Sequence, residues 1–412
     1  MKKYILVVEA SFLGVSYISQ AIHNLGYEPI FLTNYRSQEG DALVQLAQER
    51  AIFCETTDVD DIKRIVNSLG RENVVGLTTL LDSRLAILAM VNKELGLPGV
   101  SDSVINLKNK AYVNELIPEY VPQSFSLEWG VIPEIKIKDF INTSAVERFI
   151  AKPCLTAGAI GNFTFSYFEQ LEHGIEQVLN KIPDYLEPNK YVIQEFFSGE
   201  LVSIEGYVYN NNTVFIGATK RIKYGNTETS HQFPYQDEMG HDVYGKCKNI
   251  IKILIERSDY DYGFFHIEFM RNGKEVKLID ANMGRPAGAN LTELIAFSYG
   301  LDPVKMFEHA ISIAVLQEPV IEKEFFTETP CQNMAGILYG LKESARLLRF
   351  ELPNPKSSHH LAVNMGIVIP ELGESNWSGI GTLTGKPEDV FGDLENIKLI
   401  TDKGECGAAI TK

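Results

Sequence analysis

Two stretches near the middle of the chain carry side chains suited to a divalent cation. Phe264-Phe265-His266-Ile267-Glu268-Phe269 and Val276-Lys277-Leu278-Ile279-Asp280-Ala281-Asn282 are apolar runs with one carboxylate each, joined by Arg271-Asn272-Gly273-Lys274. This pattern predicts a β-hairpin in which Glu268 and Asp280 stand side by side. Asn282 lies two residues beyond Asp280 and faces the same way. Two carboxylates and an amide oxygen are hard oxygen ligands, suited to Mg²⁺ or Mn²⁺ on a polyphosphate. The competing reading is a solvated face or a set of ion-pair partners. An acid in an apolar strand is costly to bury unpaired, which weighs toward the metal.

Cationic groups flank this pair in the sequence. Arg285, in Met283-Gly284-Arg285-Pro286-Ala287-Gly288, follows at once. Its guanidinium suits a phosphoryl or carboxylate group bidentately, or else a salt bridge to one of the two acids. Lys152 ends an apolar run, and Pro153-Cys154-Leu155-Thr156-Ala157-Gly158-Ala159-Ile160-Gly161 follows. Such a small-residue loop can offer backbone N–H groups to phosphates while the lysine adds a point charge. The order differs from a P-loop, since the lysine precedes the glycines. An ordinary surface loop is the bland alternative. Tyr191-Val192-Ile193-Gln194-Glu195-Phe196-Phe197-Ser198-Gly199-Glu200 runs from an apolar strand into polar groups that could meet a base and a ribose. Core packing of its aromatics explains it as well. His231, in Glu228-Thr229-Ser230-His231, is a candidate substrate ligand or proton acceptor. His359-His360 has no acid or cysteine at ligand spacing and reads as surface, and Trp377 reads as either an anchor or a pocket wall.

The elements that position these residues follow from periodicity. Tyr4–Val8, Glu28–Thr33 and Asn73–Leu77 read as buried strands, alternating with helices over Gly14–Leu25, a segment capped by Thr57-Asp58, and Asp82–Leu95. That alternation predicts a parallel α/β layer. Its first turn, Glu9-Ala10-Ser11-Phe12-Leu13-Gly14, lacks the glycine triplet of a dinucleotide site. The middle mixes hairpins and helices as in α+β folds, and the residues from about 331 onward are strand-rich. The 412 residues carry a net charge of −16, which disfavours nucleic acid and acidic membrane partners. Apolar runs fall short of the roughly 18 residues of a membrane span. Five scattered cysteines give neither a disulfide scaffold nor a zinc site, so a cytoplasmic location is expected.

Lys110 in an Asn-Lys step, Lys152-Pro153, Gln194 to Glu200, Glu268, and Asp280-Ala281-Asn282 with Arg285 occur in an order that resembles the ATP-grasp signature. The likeness spans roughly 1–320, and the tail from about 331 is similar to that of the L-amino-acid ligase branch, the bacilysin-synthetase type. The resemblance implies a pre-ATP-grasp α/β domain over 1–105, an A and lid subdomain over 106–195, a catalytic subdomain over 196–320 and a β-rich extension over 321–412. It implies that Lys110 and Lys152 contact ATP phosphates under a lid containing Thr156 and Gly158. Gln194, Glu195 and Phe197 would meet the adenine and Glu200 the ribose. Lys220 or Arg221 would reach the phosphates. Glu268, Asp280 and Asn282 would hold the metal, and Arg285 would steady a carboxylate or acyl phosphate. Two departures stand out: Asp280 replaces the family's usual Glu, and Asn282 to Arg285 is one residue longer than the common spacing.

The activity implied is ATP-dependent joining of a small carboxylate to an amine, with an acyl phosphate as intermediate. The alternatives are a carboxylating or glycinamide-ribonucleotide-type ligase, and a non-catalytic ATP-binding regulator. A homodimer is a common assembly for the family.

Overall fold

The computed structural model describes residues 2–9, 14–34, 50–156, 158–183, 186–329, 331–374 and 378–410. Trp377 and residues 10–13 of the first turn, with Ala157 of the small-residue loop, lie outside them. Strands β1 (Tyr4–Val8), β2 (Glu28–Thr33), β3 (Arg50–Phe53) and β4 (Val74–Thr78) form a parallel sheet in the order β3-β2-β1-β4. Helix α1 (Val15–Asn24) joins β1 to β2, α2 (Val59–Ser68) joins β3 to β4, and α3 (Leu85–Leu95) follows β4. The Asp58 carboxylate caps α2 by accepting from the Asp60 and Asp61 N–H groups, and Gly96 closes α3 in the left-handed conformation.

Beyond this layer, α4 (Lys110–Leu116) precedes a four-stranded sheet in the order β5-β8-β6-β7. Its strands are β5 (Ser124–Glu128), β6 (Phe149–Pro153), β7 (Phe163–Phe165) and β8 (Lys190–Glu195). Helices α5 (Glu134–Thr143) and α6 (Phe168–Leu179) pack on it through Ile137, Leu171 and Ile175. The small-residue loop leads into strand β7, where Phe165 pairs with Phe149.

An eight-stranded sheet forms the centre. Its strands are β9 (Glu200–Tyr209), β10 (Asn212–Tyr224), β11 (Thr227–Phe233), β12 (Gly263–Asn272) and β13 (Glu275–Met283), with three strands from the C-terminal part. Helix α7 (His241–Arg257) covers one face, burying Cys247, Ile250 and Leu254 against Ile204, Ala218 and Ile267. Helices α8 (Ala289–Ser298) and α9 (Pro303–Ile311), absent from the expected elements, follow the Arg285 loop. Phe307 and Ile311 of α9 pack on Ile5 and Val7 of β1, so a helix that follows the central sheet in sequence seals the N-terminal sheet.

In the C-terminal part, β14 (Met334–Gly340), β16 (Ser358–Leu361) and β18 (Gly379–Gly385) extend the central sheet beside β11, in the order β11-β14-β18-β16. The remaining strands β15 (Ala345–Glu351), β17 (Val368–Ile369), β19 (Lys398–Thr401) and β20 (Gly404–Gly407) make a separate sheet, and α10 (Pro387–Asn396) packs beside β18. No helix among the described residues is long and apolar enough to cross a membrane.

Candidate active site

Strand alternation sorts the central sheet into an apolar and a polar face. Ile204, Ala218, Ile267 and Ala281 enter the core under α7, so Glu205, Thr219, Glu268 and Asp280 project from the other side. Register aligns them: Glu268 lies opposite Asp280 and Ser203, while His266 lies opposite Asn282 and Glu205. The hairpin expected from the sequence is therefore formed, with Glu268, Asp280 and Asn282 on one face.

Glu268 has a resident counter-charge. Arg221 of β10 places Nη1 2.6 Å from Glu268 Oε1, and its Nη2 pairs with Glu228. Burial alone would raise the Glu268 pKa, but Arg221 overrides it and holds the carboxyl well below the usual range. The same guanidinium donates to His266 Nε2 at 2.9 Å when the imidazole is neutral. His266 Nδ1 sits 2.7 Å from Glu205, which also accepts from Ser203 and Thr219 hydroxyls. Burial opposes charge on His266, yet Glu205 outweighs it and pushes the imidazole up to about 9. His231 is buried beside this network, 3.5 Å from Glu228 Oε2 and opposite Arg221 and Gly336 in the sheet.

A narrow cleft opens beside β13, lined by Asp82, Lys108, Lys110, Asp280 and Asn282. The Asn109 carboxamide caps α4, accepting from the Ala111 N–H at 2.9 Å, and so sets Lys110 in its first turn. Lys110 donates its backbone N–H to Cys154 O at 3.0 Å and its ammonium to Thr156 O, tying α4 to the small-residue loop. Thr156 is buried, with its hydroxyl on Ile160 O, whereas Gly158 is exposed at φ 63°. Lys152 donates to Ile279 O at 2.9 Å, which places it at the β13 strand. Its burial lowers the ammonium pKa to about 8, against the pull of Asp280.

Arg285 takes neither of the acids expected from the sequence. Its Nε lies 3.4 Å from Asp82, and Nη1 donates to Pro286 O at 2.9 Å. Gly284 makes this route, standing at φ 105°, where a Cβ would meet Val104 Cγ2 at 3.1 Å. The extra residue before Arg285 is thus absorbed in a left-handed turn. Asp82 is buried, and its own desolvation is overcome by Lys108 and Arg285, leaving its pKa lowered to about 2.

Glu200 and Lys220 are not brought to the Glu268 face: they share the α7 face of the central sheet with Val202 and Ile204. Glu200 accepts from Tyr235 Oη at 2.9 Å and pairs with Lys220 at 3.1 Å and Arg271 at 3.4 Å. Lys220 and Arg221 point to opposite faces of β10, as neighbours in a strand must. Gln194 is buried in β8 opposite Ile150, and the Glu195 N–H bonds Gln123 O at 2.9 Å. Phe197 is half-buried just beyond β8. Among the described residues no group of three or more His, Cys, Asp or Glu side chains is arranged to hold a metal. The donor set at the hairpin is two carboxylates and one amide.

Sequence reading missed Asp82, Lys108, Glu205 and His266 as members of this network. Signals existed for two of them: His266 and Glu268 alternate on one strand, and Glu205 is an acid within an apolar strand. The surface reading of His360 is also corrected. Its Nε2 lies 2.8 Å from Glu293 of α8, a buried carboxylate that also accepts from Tyr17 at 2.6 Å and Ser358 at 2.8 Å. His359 bonds Tyr339 Oη at 2.8 Å and stacks on Phe350. Partners distant in sequence, not ligand spacing, decide both.

No protein-family profile and no curated protein sequence matches the chain. Solved structures do. The L-amino acid ligase of Bacillus licheniformis superposes with a TM-score of 0.76 at 15% identity, covering 97% of this chain and 98% of that one. The phosphoribosylglycinamide synthetase of Anaerococcus prevotii gives 0.72 at 19%, covering 97% and 100%. The biotin carboxylase domain of the Hydrogenobacter thermophilus 2-oxoglutarate carboxylase, solved with MgADP and bicarbonate, gives 0.73 at 14%, covering 100% and 92%. The chain has the ATP-grasp fold. At these identities the likeness is one of architecture.

Proposed function

We propose that the protein is an ATP-dependent carboxylate–amine ligase that forms an amide, such as a dipeptide or an amino-acid conjugate, through an acyl phosphate. The observation that carries this reading is the convergence of Lys108, Lys110, Asp82, Asp280 and Asn282 on one cleft, with Lys152 and Arg285 bonded to its walls. Overall the chain is acidic, so this cationic cluster is local and suited to a polyphosphate. The L-amino acid ligase among the structural neighbours supports the choice of an amine acceptor.

ATP would lie with its phosphates toward Lys110 and Lys152 and its base toward Gln194, Glu195 and Phe197. Glu268, Asp280 and Asn282 offer the hard oxygens that would hold Mg²⁺ or Mn²⁺, and a bound ion would supply positive charge against the polyphosphate. An oxygen of the substrate carboxylate attacks the γ-phosphorus in line, the bond to the β-phosphate oxygen breaks, and ADP leaves. Lys152 and Arg285 are preset to balance charge on the transferring group and the carboxylate. The amine then attacks the acyl carbon, phosphate departs, and the proton lost by the amine passes to His231. Glu228, 3.5 Å away, supports the resulting imidazolium. The loop around Thr156 and Gly158 closes over the phosphates and limits hydrolysis.

The test is ADP release with ATP, Mg²⁺ and hydroxylamine across a panel of amino acids. Acid-dependent hydroxamate together with ADP supports the ligase. ADP release that needs bicarbonate would move the protein to the carboxylating class, and AMP with pyrophosphate would overturn the acyl-phosphate route.

A further inference from the structure

Helix α8 is buried on nearly every side, yet Thr292 and Glu293 near its start are polar. A well-packed apolar residue serves stability as well as a buried charge does, so a carboxylate here calls for another account. The Thr292 hydroxyl donates to Ala287 O at 3.1 Å, and the Leu291 and Thr292 N–H groups donate to Gly288 O at 2.9 and 3.0 Å. These bonds seat the Arg285-Pro286-Ala287-Gly288 loop on the helix. Glu293 seats the helix in turn. Its Oε1 accepts from Tyr17 Oη at 2.6 Å, Ser358 Oγ at 2.8 Å and His360 Nε2–H at 2.8 Å. Tyr17 stands in the first turn of α1 and stacks on Phe307 of α9. Ser358 and His360 belong to β16, the edge strand of the central sheet. One carboxylate oxygen thus ties α8 to the N-terminal layer and to the C-terminal part. Burial opposes the charge, but His360, Tyr17 and Ser358 outweigh it and hold the carboxyl below its usual range.

We infer that Glu293 is a positioning residue for Arg285: Glu293 clamps α8 between α1 and β16, Thr292 holds the loop on α8, and the loop sets the guanidinium beside Asp82. The inference rests on the ligase reading and adds to it a clamp outside the cleft that sets affinity for the acid. Neither Thr292 nor Glu293 lines the phosphate cleft, so both act through the loop. Lys110 and Lys152 stand on α4 and β6, which this clamp does not touch, so the nucleotide end is independent of it.

The experiment compares Glu293→Met, Glu293→Gln and Thr292→Val with the wild type in acid-dependent ADP release by the full chain, using the amino acids that elicit it. Glu293→Met, checked for folding by its melting curve, should raise KM for the acid on the order of tenfold, because a small misplacement of a binding group is costly. Its kcat and calorimetric ADP affinity should stay at wild-type values. Thr292→Val should move KM the same way. Glu293→Gln keeps the accepting oxygen and should restore KM to near the wild type. A role in folding alone would lower the active fraction, moving kcat and the melting temperature while KM stays fixed, and that result overturns the inference. A Gln variant as impaired as Met overturns it as well. If Glu293→Met does not fold, Thr292→Val and Tyr17→Phe, which removes one donor, carry the same test. If no acid elicits ADP from the wild type, it is the ligase reading that fails. Amide hydrogen exchange over 285–292 then tests the clamp by itself: faster exchange there in Glu293→Met, with α7 unchanged, supports it, and unchanged exchange overturns it.

Discussion

Removing the Arg221 guanidinium tests the architecture of the site without assuming any reaction. In metal-free protein Arg221 is the shared partner of Glu228 and Glu268, with its Nη1 2.6 Å from Glu268. Arg221→Met keeps the aliphatic stem and leaves two buried carboxylates facing each other, with Glu205 and His266 behind them. Breaking a buried pair by deleting one member costs about 3–5 kcal/mol, because the surviving charge stays desolvated. At about 2.1 cal/mol/K per residue, unfolding 412 residues has an entropy of roughly 0.9 kcal/mol/K, so the expected fall in melting temperature is about 4–6 °C in EDTA. Adding Glu268→Gln to the variant should restore most of the loss, since the stranded charge is gone. Added Mg²⁺ should also stabilise Arg221→Met more than the wild type, because a cation then replaces the guanidinium. Differential scanning calorimetry on the four members of the double-mutant cycle measures the coupling. A loss below 1 °C, or a coupling below about 0.5 kcal/mol, would show that Arg221 does not neutralise Glu268 and refute the account.

Four further outcomes follow from the same geometry. Glu268→Gln should abolish ADP formation while the protein remains folded, read by nucleotide assay beside circular dichroism. Lys152 holds a pKa lowered to about 8 by burial, so its charge is lost as pH rises through that value; calorimetric ADP affinity should fall above pH 8 in the wild type and stay flat in Lys152→Met. Asp82, depressed to about 2 in the fold, contributes stability that is present above its unfolded value near 3.9 and lost as pH falls toward 2; denaturation of wild type and Asp82→Asn between pH 5 and 2 should converge, closing a gap of about 2–3 kcal/mol. Gly284→Ala should cost about 1–3 kcal/mol from its φ of 105° and raise KM for the acid by shifting Arg285, whereas an unchanged KM would separate that turn from substrate binding.

Much of the local structure was legible in the chain. β1 and β2 match the expected limits residue for residue, because strong apolar periodicity and turn residues are local signals. Helix α8 was not legible because it is buried almost all round, so no amphipathic stripe marks it; α9, with Lys305, Glu308 and His309 among apolar residues, does carry a stripe and was passed over. Arg285 shows the limit for the site. Its type and loop were readable, but its partner Asp82 lies some two hundred positions earlier, and only the packing of α3 and the Gly284 turn brings them together.

Residue types along the chain say which side chains could do chemistry, and strand alternation puts Glu268, Asp280 and Asn282 on one face. Those are properties of neighbours along one hairpin, set by a period of two residues. Tertiary structure decided what each group meets. It gave Glu268 to Arg221, Glu205 to His266, Lys152 to the β13 backbone and Glu293 to Tyr17 and His360. Charge pairing depends on distance through space, and burial multiplies its strength, so neither can be read from spacing along the chain.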